Sequence, residues 1–115
     1  MDFIYHLALA KDWEQAKTSP SQEYVISTLG ATLEDEGFIH CSFAEQVSRI
    51  ADFIYKGIPN VVLLTIDQTK LKYPVKLENL DGGTEPFPHI YGALNLDAVV
   101  NVEPYDSVTF VPRAE

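Results

Sequence analysis

A chain of 115 residues with 46% hydrophobic residues is long enough to bury one core, and we predict a single domain over residues 1–115. Its 17 acidic and 8 basic residues give a net charge of −9, which argues against general binding to nucleic acid, because a phosphate backbone requires clustered lysine and arginine. The single cysteine, Cys41, excludes an internal disulfide, and no stretch approaches the ~20 apolar residues that a membrane span needs. The first residues lack the basic region of a signal peptide, so we expect a cytoplasmic protein.

The apolar pattern predicts many short strands and few helices. The run 60–67 is the strongest strand, and its nearly continuous apolar residues predict a central position with both faces covered. A polar loop is predicted at 79–84. Strands that do not alternate strictly with helices predict an α+β domain with a split, mostly antiparallel sheet and two or three helices. In chain order, the predicted strands lie at residues 3–7, 23–27, 38–41, 60–67, 75–78, 89–91, 98–102 and 107–111.

Two helices are predicted between these strands. The first begins near Lys11 and turns Trp13 and Ala16 toward the core. The second follows the third strand, with Ser42 as its N-cap and Glu45 completing a Ser-x-x-Glu capping box. Its apolar face consists of Phe43, Val47, Ile50, Ala51 and Ile54, and Gly57 and Pro59 mark its end.

All three histidines, His6, His40 and His89, lie in short apolar runs. A polar ring in apolar sequence must be satisfied internally or face a shared cavity. Strand alternation places His89 on the same side as Tyr91 and points the adjacent His40 and Cys41 apart. Because no closely spaced pair of ligands is present, we expect no metal site, and we expect Cys41 to be an ordinary buried cysteine.

Aromatic residues accompany these imidazoles along the sequence. Such rings suit a stacking pocket for a planar ligand, but aromatic residues beside strands are also common in ordinary cores. The residues themselves therefore leave open both a ligand pocket and a set of satisfied interior histidines. The aromatic residues concerned are Tyr5, Phe38, Phe87 and Tyr91.

Several motifs taken together resemble a known family. They cover nearly the whole chain, and the last motif is specific. The set resembles the small bacterial and plant domains called domain of unknown function 952, a name that implies no activity. The motifs are Ile4-Tyr5-His6, Trp13, Ala16, Glu36-Gly37-Phe38-Ile39-His40-Cys41-Ser42, Gln46, Val62-Leu63-Leu64-Thr65-Ile66-Asp67, Glu78 and Phe87-Pro88-His89-Ile90-Tyr91-Gly92.

More distantly, the layout resembles the ADP-ribosyltransferase-like fold, whose members bind NAD in a cleft between two small sheets. RNA 2′-phosphotransferases of that fold carry a Val-His-Leu-Ser motif comparable to residues 39–42. This resemblance implies that His6 holds the adenosine-side ribose and that His40 lies near nicotinamide. It also implies an acidic residue that steadies the ribose cation as nicotinamide departs, with Glu78 as the first candidate and Glu85 as the second.

The resemblance thus implies an enzyme that uses NAD for ADP-ribosyl transfer or NAD cleavage. Two departures from the pattern are present: His40 stands where transferases usually have tyrosine, and the scarcity of arginine argues against an RNA 2′-phosphate substrate. The alternative is a non-catalytic module that binds a small molecule or nucleotide, and a third hypothesis is a purely structural domain. The implied catalytic residues are His6, His40 and Glu78, and the implied binding residues are Ser42, His89 and Tyr91.

Overall fold

The computed structural model describes residues 3–28, 31–79 and 85–105, in which strands outnumber helices. None of the helices in these ranges is long and apolar enough to cross a membrane. The helices are α1 (Ala10–Thr18), α2 (Leu33–Glu36) and α3 (Val47–Ile54), with 3-10 turns at Ala44–Gln46, Gln68–Lys70 and Leu96–Ala98. The strands are β1 (Phe3–Leu9), β2 (Glu23–Tyr24), β3 (Ile39–His40), β4 (Val61–Asp67), β5 (Val75–Asn79), β6 (Pro86–Ile90), β7 (Leu94–Asn95) and β8 (Val99–Pro104).

The strands pair in three antiparallel groups: β1-β4-β8, β3-β6-β5 and the short pair β2-β7. A single bridge between Tyr5 and Ser42 joins the first group to the chain that leaves β3. The predicted α+β class, with a divided antiparallel sheet and about three helices, is confirmed. The predicted strand at 107–111 and most of the loop at 79–84 lie outside the described residues.

Strand β4 lies at the centre of its sheet, and alternate side chains enter two different apolar clusters. Leu64 and Ile66 pack into the first cluster, together with Trp13 of α1. Leu63 packs into the second cluster, against α3. The prediction of a central strand covered on both faces is therefore confirmed, as is the inward orientation of Trp13 and Ala16.

The predicted capping box at Ser42 is wrong because Ser42 is still part of a strand pairing. Its N–H donates to the carbonyl of Tyr5 at 2.8 Å, and its carbonyl accepts from the N–H of Tyr5 at 2.8 Å. The turn starts one residue later, where the N–H of Phe43 donates to Oε1 of Gln46 at 2.9 Å. The α-helix then begins at Val47, and the chain turns away at Gly57 with a φ of +79°.

Substitutions of buried apolar residues of β4 should lower the free energy of unfolding more than substitutions of exposed apolar residues. Replacing the fully buried Leu64 by alanine removes apolar contacts and leaves a cavity, so we expect the free energy of unfolding to fall by about 2–5 kcal/mol. The matched variant Leu77→Ala, at a position 59% exposed, should change it by no more than about 0.5 kcal/mol. Urea denaturation of both variants tests this expectation. Equal losses in the two variants would contradict the assignment of the core.

Candidate functional site

The antiparallel register of β3 on β6 places His40 directly opposite His89. The N–H of Cys41 donates to the carbonyl of Pro88 at 2.9 Å. Hydrogen-bonded and non-hydrogen-bonded pairs alternate along an antiparallel ladder, so His40 and His89 form a non-hydrogen-bonded pair, in which side chains lie closest. Both rings therefore fall on one face of the sheet, and their centroids are 5.2 Å apart.

The backbone groups of His40 point away from β6 and find partners among side chains. Its N–H donates to Oγ of Ser27 at 3.0 Å, and its carbonyl accepts from Nδ1 of His6 at 2.7 Å. Because a carbonyl can only accept, Nδ1 of His6 carries the hydrogen, and Nε2 accepts from the hydroxyl of Tyr24 at 3.1 Å. Both ring nitrogens of His6 are thus engaged in holding the interior together around His40.

A chain of hydrogen bonds runs from His40 to a carboxylate on β5. Nδ1 of His40 lies 3.2 Å from Nε2 of His89, and Nδ1 of His89 lies 2.9 Å from Oε1 of Glu78. Because a carboxylate only accepts, His89 donates from Nδ1, and in the tautomer that carries its hydrogen on Nδ1 the other nitrogen, Nε2, accepts. His40 must then donate from its own Nδ1, which leaves its Nε2 as an acceptor.

Glu78 is anchored through one of its two oxygens. The hydroxyl of Tyr91 donates to the same Oε1 that receives His89, and no hydrogen bond in the described part of the chain engages Oε2. The bonds from Tyr91 and His89 hold the pKa of Glu78 below its usual value, so the carboxylate is ionised at neutral pH. The same contact raises the pKa of the Tyr91 phenol, which therefore stays a hydrogen-bond donor.

A cleft with a volume of about 980 Å³ opens above this chain of groups. Phe38 stacks on His89 with ring centroids 4.1 Å apart and planes at 7°, and it lies tilted against Tyr91 at 5.6 Å. Neither lysine nor arginine is present among the described residues that line the cleft, whereas two carboxylates are. The cleft is therefore aromatic and acidic. Its lining consists of Thr28, Glu36, Phe38, His40, Phe53, Ile54, Glu78, Asn79, His89 and Tyr91.

Burial keeps two of the imidazoles neutral. Desolvation lowers the pKa of His6 from 6.5 to about 4, although its hydrogen bond to the His40 carbonyl acts in the opposite direction. Desolvation also lowers the pKa of His40 to about 4, with smaller contributions in the same direction from His89 and His6. Cys41 is likewise buried, and its raised pKa keeps it a thiol.

The structure brings together four of the six residues that the sequence analysis singled out. His40, Glu78, His89 and Tyr91 line the cleft. The other two, His6 and Ser42, are buried and line a separate small cavity beneath His40. For all six residues, the roles in catalysis and ligand binding stay predictions.

The second acidic candidate, Glu85, lies elsewhere. Its carboxylate forms two hydrogen bonds with Arg49, whose guanidinium lowers the pKa of Glu85, and it also accepts from the side chain of Gln46 at 3.0 Å. Glu85 is not among the residues that line the cleft. Of the two acids considered, Glu78 is the one that faces the cleft.

The sequence analysis did not identify Ser27, which binds the backbone of His40, or Tyr24, which binds the ring of His6. Ser27 accepts from the backbone of His40 across 13 residues of sequence, and Tyr24 reaches His6 across 18. No local pattern marks such long-range contacts. No group of three or more histidine, cysteine, aspartate or glutamate side chains among residues 3–28, 31–79 and 85–105 is arranged to hold a metal ion.

Comparison with known proteins gives the family of this chain. The family model described as protein of unknown function, DUF952, matches residues 7–102. The chain belongs to the DUF952 family. Comparison of this DUF952 domain with the curated proteins yields no match.

Solved structures resemble this DUF952 domain along most of its length. A crystal structure of protein CC0527 from Caulobacter crescentus is 31% identical, with a TM-score of 0.76 over 90% of this chain and 86% of that chain. A solution NMR structure of CC0527 is 27% identical, with a TM-score of 0.65 over 92% of this chain and 86% of that chain. These neighbours support the fold described above and carry no stated activity.

The neutral imidazoles should make the domain less stable in mild acid. Histidines that ionise near pH 6.5 in the unfolded chain but only near 4 in the folded one are protonated preferentially on unfolding. The free energy of unfolding should therefore be fully present above pH 6.5 and fall as the pH drops toward 4, by about 1.4 kcal/mol per pH unit for each such imidazole. Urea denaturation at a series of pH values measures this slope.

The variant His6→Asn is the matched control for this slope. Its amide still donates to the His40 carbonyl but does not titrate, so the slope should fall by the contribution of one proton. A wild-type stability that is independent of pH between 7 and 5 would show that the imidazoles ionise equally in both states, contrary to this expectation.

Proposed function

We propose that this domain binds the nicotinamide–ribose end of NAD in the aromatic cleft and cleaves the bond between the two, with ADP-ribosyl transfer or hydrolysis as the outcome. The observation that carries the proposal is the arrangement of Glu78. One oxygen is fixed by His89 and Tyr91, and the other is unengaged at the wall of a cleft lined with aromatic rings. The distant resemblance to ADP-ribosyltransferases supports the same assignment.

The charge of the cleft matches this end of the ligand. The nicotinamide ring of NAD is a pyridinium cation, and cations bind favourably to aromatic faces and near carboxylates. Phe38 supplies such a face, and Glu36 and Glu78 supply the negative charge. A face of the Tyr91 ring already holds the ammonium of Lys76, 4.7 Å from the ring centroid. The pyrophosphate, which has no cation among the described lining residues, would extend out of the cleft or bind to backbone N–H groups.

The proposed mechanism depends on the positive charge that develops on the ribose when the bond to nicotinamide breaks. As the bond between C1′ and the ring nitrogen breaks, its electron pair neutralises the pyridinium, and positive charge moves to the ribose. An ionised Glu78 that is already oriented stabilises this charge through Oε2 without having to reorganise. The acceptor then forms a bond to C1′, and its proton passes to the carboxylate. The hydrogen bonds to Oε1 restrict rotation of the carboxylate throughout.

The variant Glu78→Gln tests this role. Removing the negative charge while keeping the shape should lower the rate of nicotinamide release by roughly 10²–10³-fold, whereas binding of NAD should survive. Nicotinamide release is measured by chromatography, and binding is measured by calorimetry. Because Glu85 pairs with Arg49 away from the cleft, Glu85→Gln is the matched control and should retain the wild-type rate.

The outcomes of this comparison separate the alternatives. Binding of NAD without nicotinamide release by the wild type would leave a non-catalytic nucleotide-binding module and remove the enzyme hypothesis. Equal rates in wild type and Glu78→Gln would remove Glu78 from the mechanism. Absence of binding to NAD, ADP-ribose and nicotinamide at millimolar concentration would reject both nucleotide hypotheses.

The cleft should also distinguish a cationic ring from a neutral one. We expect 1-methylnicotinamide to bind roughly 2- to 30-fold more tightly than nicotinamide, because a cation over an aromatic face gains about 0.5–2 kcal/mol. Calorimetric titration of both ligands measures the ratio. In Phe38→Leu, which keeps an apolar wall but removes a ring, the preference should shrink. Equal affinity for the two ligands in the wild type would argue against recognition of a cation.

A further inference from the structure

One nitrogen of the three imidazoles has no partner. Nε2 of His40 is buried and makes no hydrogen bond within the described part of the chain. Leaving a buried acceptor unpaired is costly, and such groups are commonly satisfied by an internal water molecule. The other ring nitrogen of His40 faces His89, so Nε2 lies on the opposite edge of the ring.

His40 borders a small cavity as well as the open cleft, whereas His89 lines the cleft and is not among the residues that line this cavity. The space open to the centre of a water molecule inside the cavity is about 10 Å³, which suits one water. Five hydroxyl-bearing residues line the same cavity: Tyr5, Ser27, Thr28, Ser42 and Tyr55. The cavity therefore combines the size and the polar groups that an ordered water needs.

We infer that this cavity is a binding site for a single water molecule, which donates a hydrogen bond to Nε2 of His40. The inference does not rest on the proposed function. It completes a directional chain in which the water donates to His40, His40 to His89, and His89 to Glu78. The direction of these hydrogen bonds follows from the carboxylate of Glu78, which can only accept. His89 must therefore donate to Glu78, and His40 must donate to His89.

The same reasoning assigns one tautomer to all three histidines. His6 donates from Nδ1 to a carbonyl, His89 donates from Nδ1 to a carboxylate, and His40 donates from Nδ1 to His89. The water would stabilise the tautomer of His40 that carries its hydrogen on Nδ1, because it donates a hydrogen bond to the unprotonated Nε2.

Two measurements on the full chain test this inference. In long-range ¹H–¹⁵N spectra at neutral pH, all three rings should carry their hydrogen on Nδ1. In a high-resolution crystal structure, a water should lie about 2.7–3.2 Å from Nε2 of His40. Protonation of His40 at Nε2, or a structure in which no water lies within that distance, would overturn the assignment.

A pair of variants provides the control. Val47 lines the cavity, and in Val47→Ile the added methyl group should occupy the space and displace the water. Val62 packs in the other apolar cluster and does not line the cavity, so Val62→Ile should retain the water and the wild-type signals. Displacement should shift the ¹⁵N resonance of His40 Nε2 in the first variant only. Retention of the water in Val47→Ile would place it outside this cavity and contradict the inference.

Discussion

The register of β3 on β6 is the constraint on which the rest of the site depends. It makes His40 and His89 a non-hydrogen-bonded pair, so their rings meet on one face while the backbone groups of His40 point the other way. The N–H and the carbonyl of His40 are buried and need hydrogen-bond partners, which Ser27 and His6 supply. Because His6 belongs to β1, this requirement also ties the two three-stranded sheets together. A shift of one residue in register would move His40 to the core face and undo the cleft and the link between the sheets.

His40 also connects the two carboxylates that line the cleft. Its Nδ1 leads through His89 to Glu78, and its backbone N–H leads through Ser27, whose hydroxyl donates to Glu36 at 2.8 Å. Burial keeps the imidazole of His40 neutral, so it does not cancel the charge of either acid. Among the described residues, the hydrogen bonds to these two carboxylates come from His89, Tyr91 and Ser27 rather than from lysine or arginine, and the nearby ammonium of Lys76 lies over the Tyr91 ring. The proposed preference for a cationic ring rests on the two carboxylates that line the cleft.

Strand alternation was sufficient to predict the residues that share a face, but not how far each lies from solvent. The pairing of His89 with Tyr91, the central position of β4 and the inward Trp13 all follow from local spacing, and the structure confirms them. Two features depend on partners distant in sequence, and spacing does not encode them. Ser42 resembles a helix cap locally but pairs with Tyr5. His6 shares the apolar setting of His40 but has both nitrogens engaged in the interior.

Membership of the DUF952 family and the similarity to CC0527 support the fold. The function has to be argued from the geometry of the site. A purely structural network of histidines would satisfy each polar atom internally, as His6 does. The chain from His40 to Glu78 differs because, in the described part of the molecule, it ends in two unengaged atoms. Nε2 of His40 is enclosed, whereas Oε2 of Glu78 belongs to a side chain that is 37% exposed at the cleft. The proposed function rests on this exposed and unengaged oxygen of an anchored carboxylate.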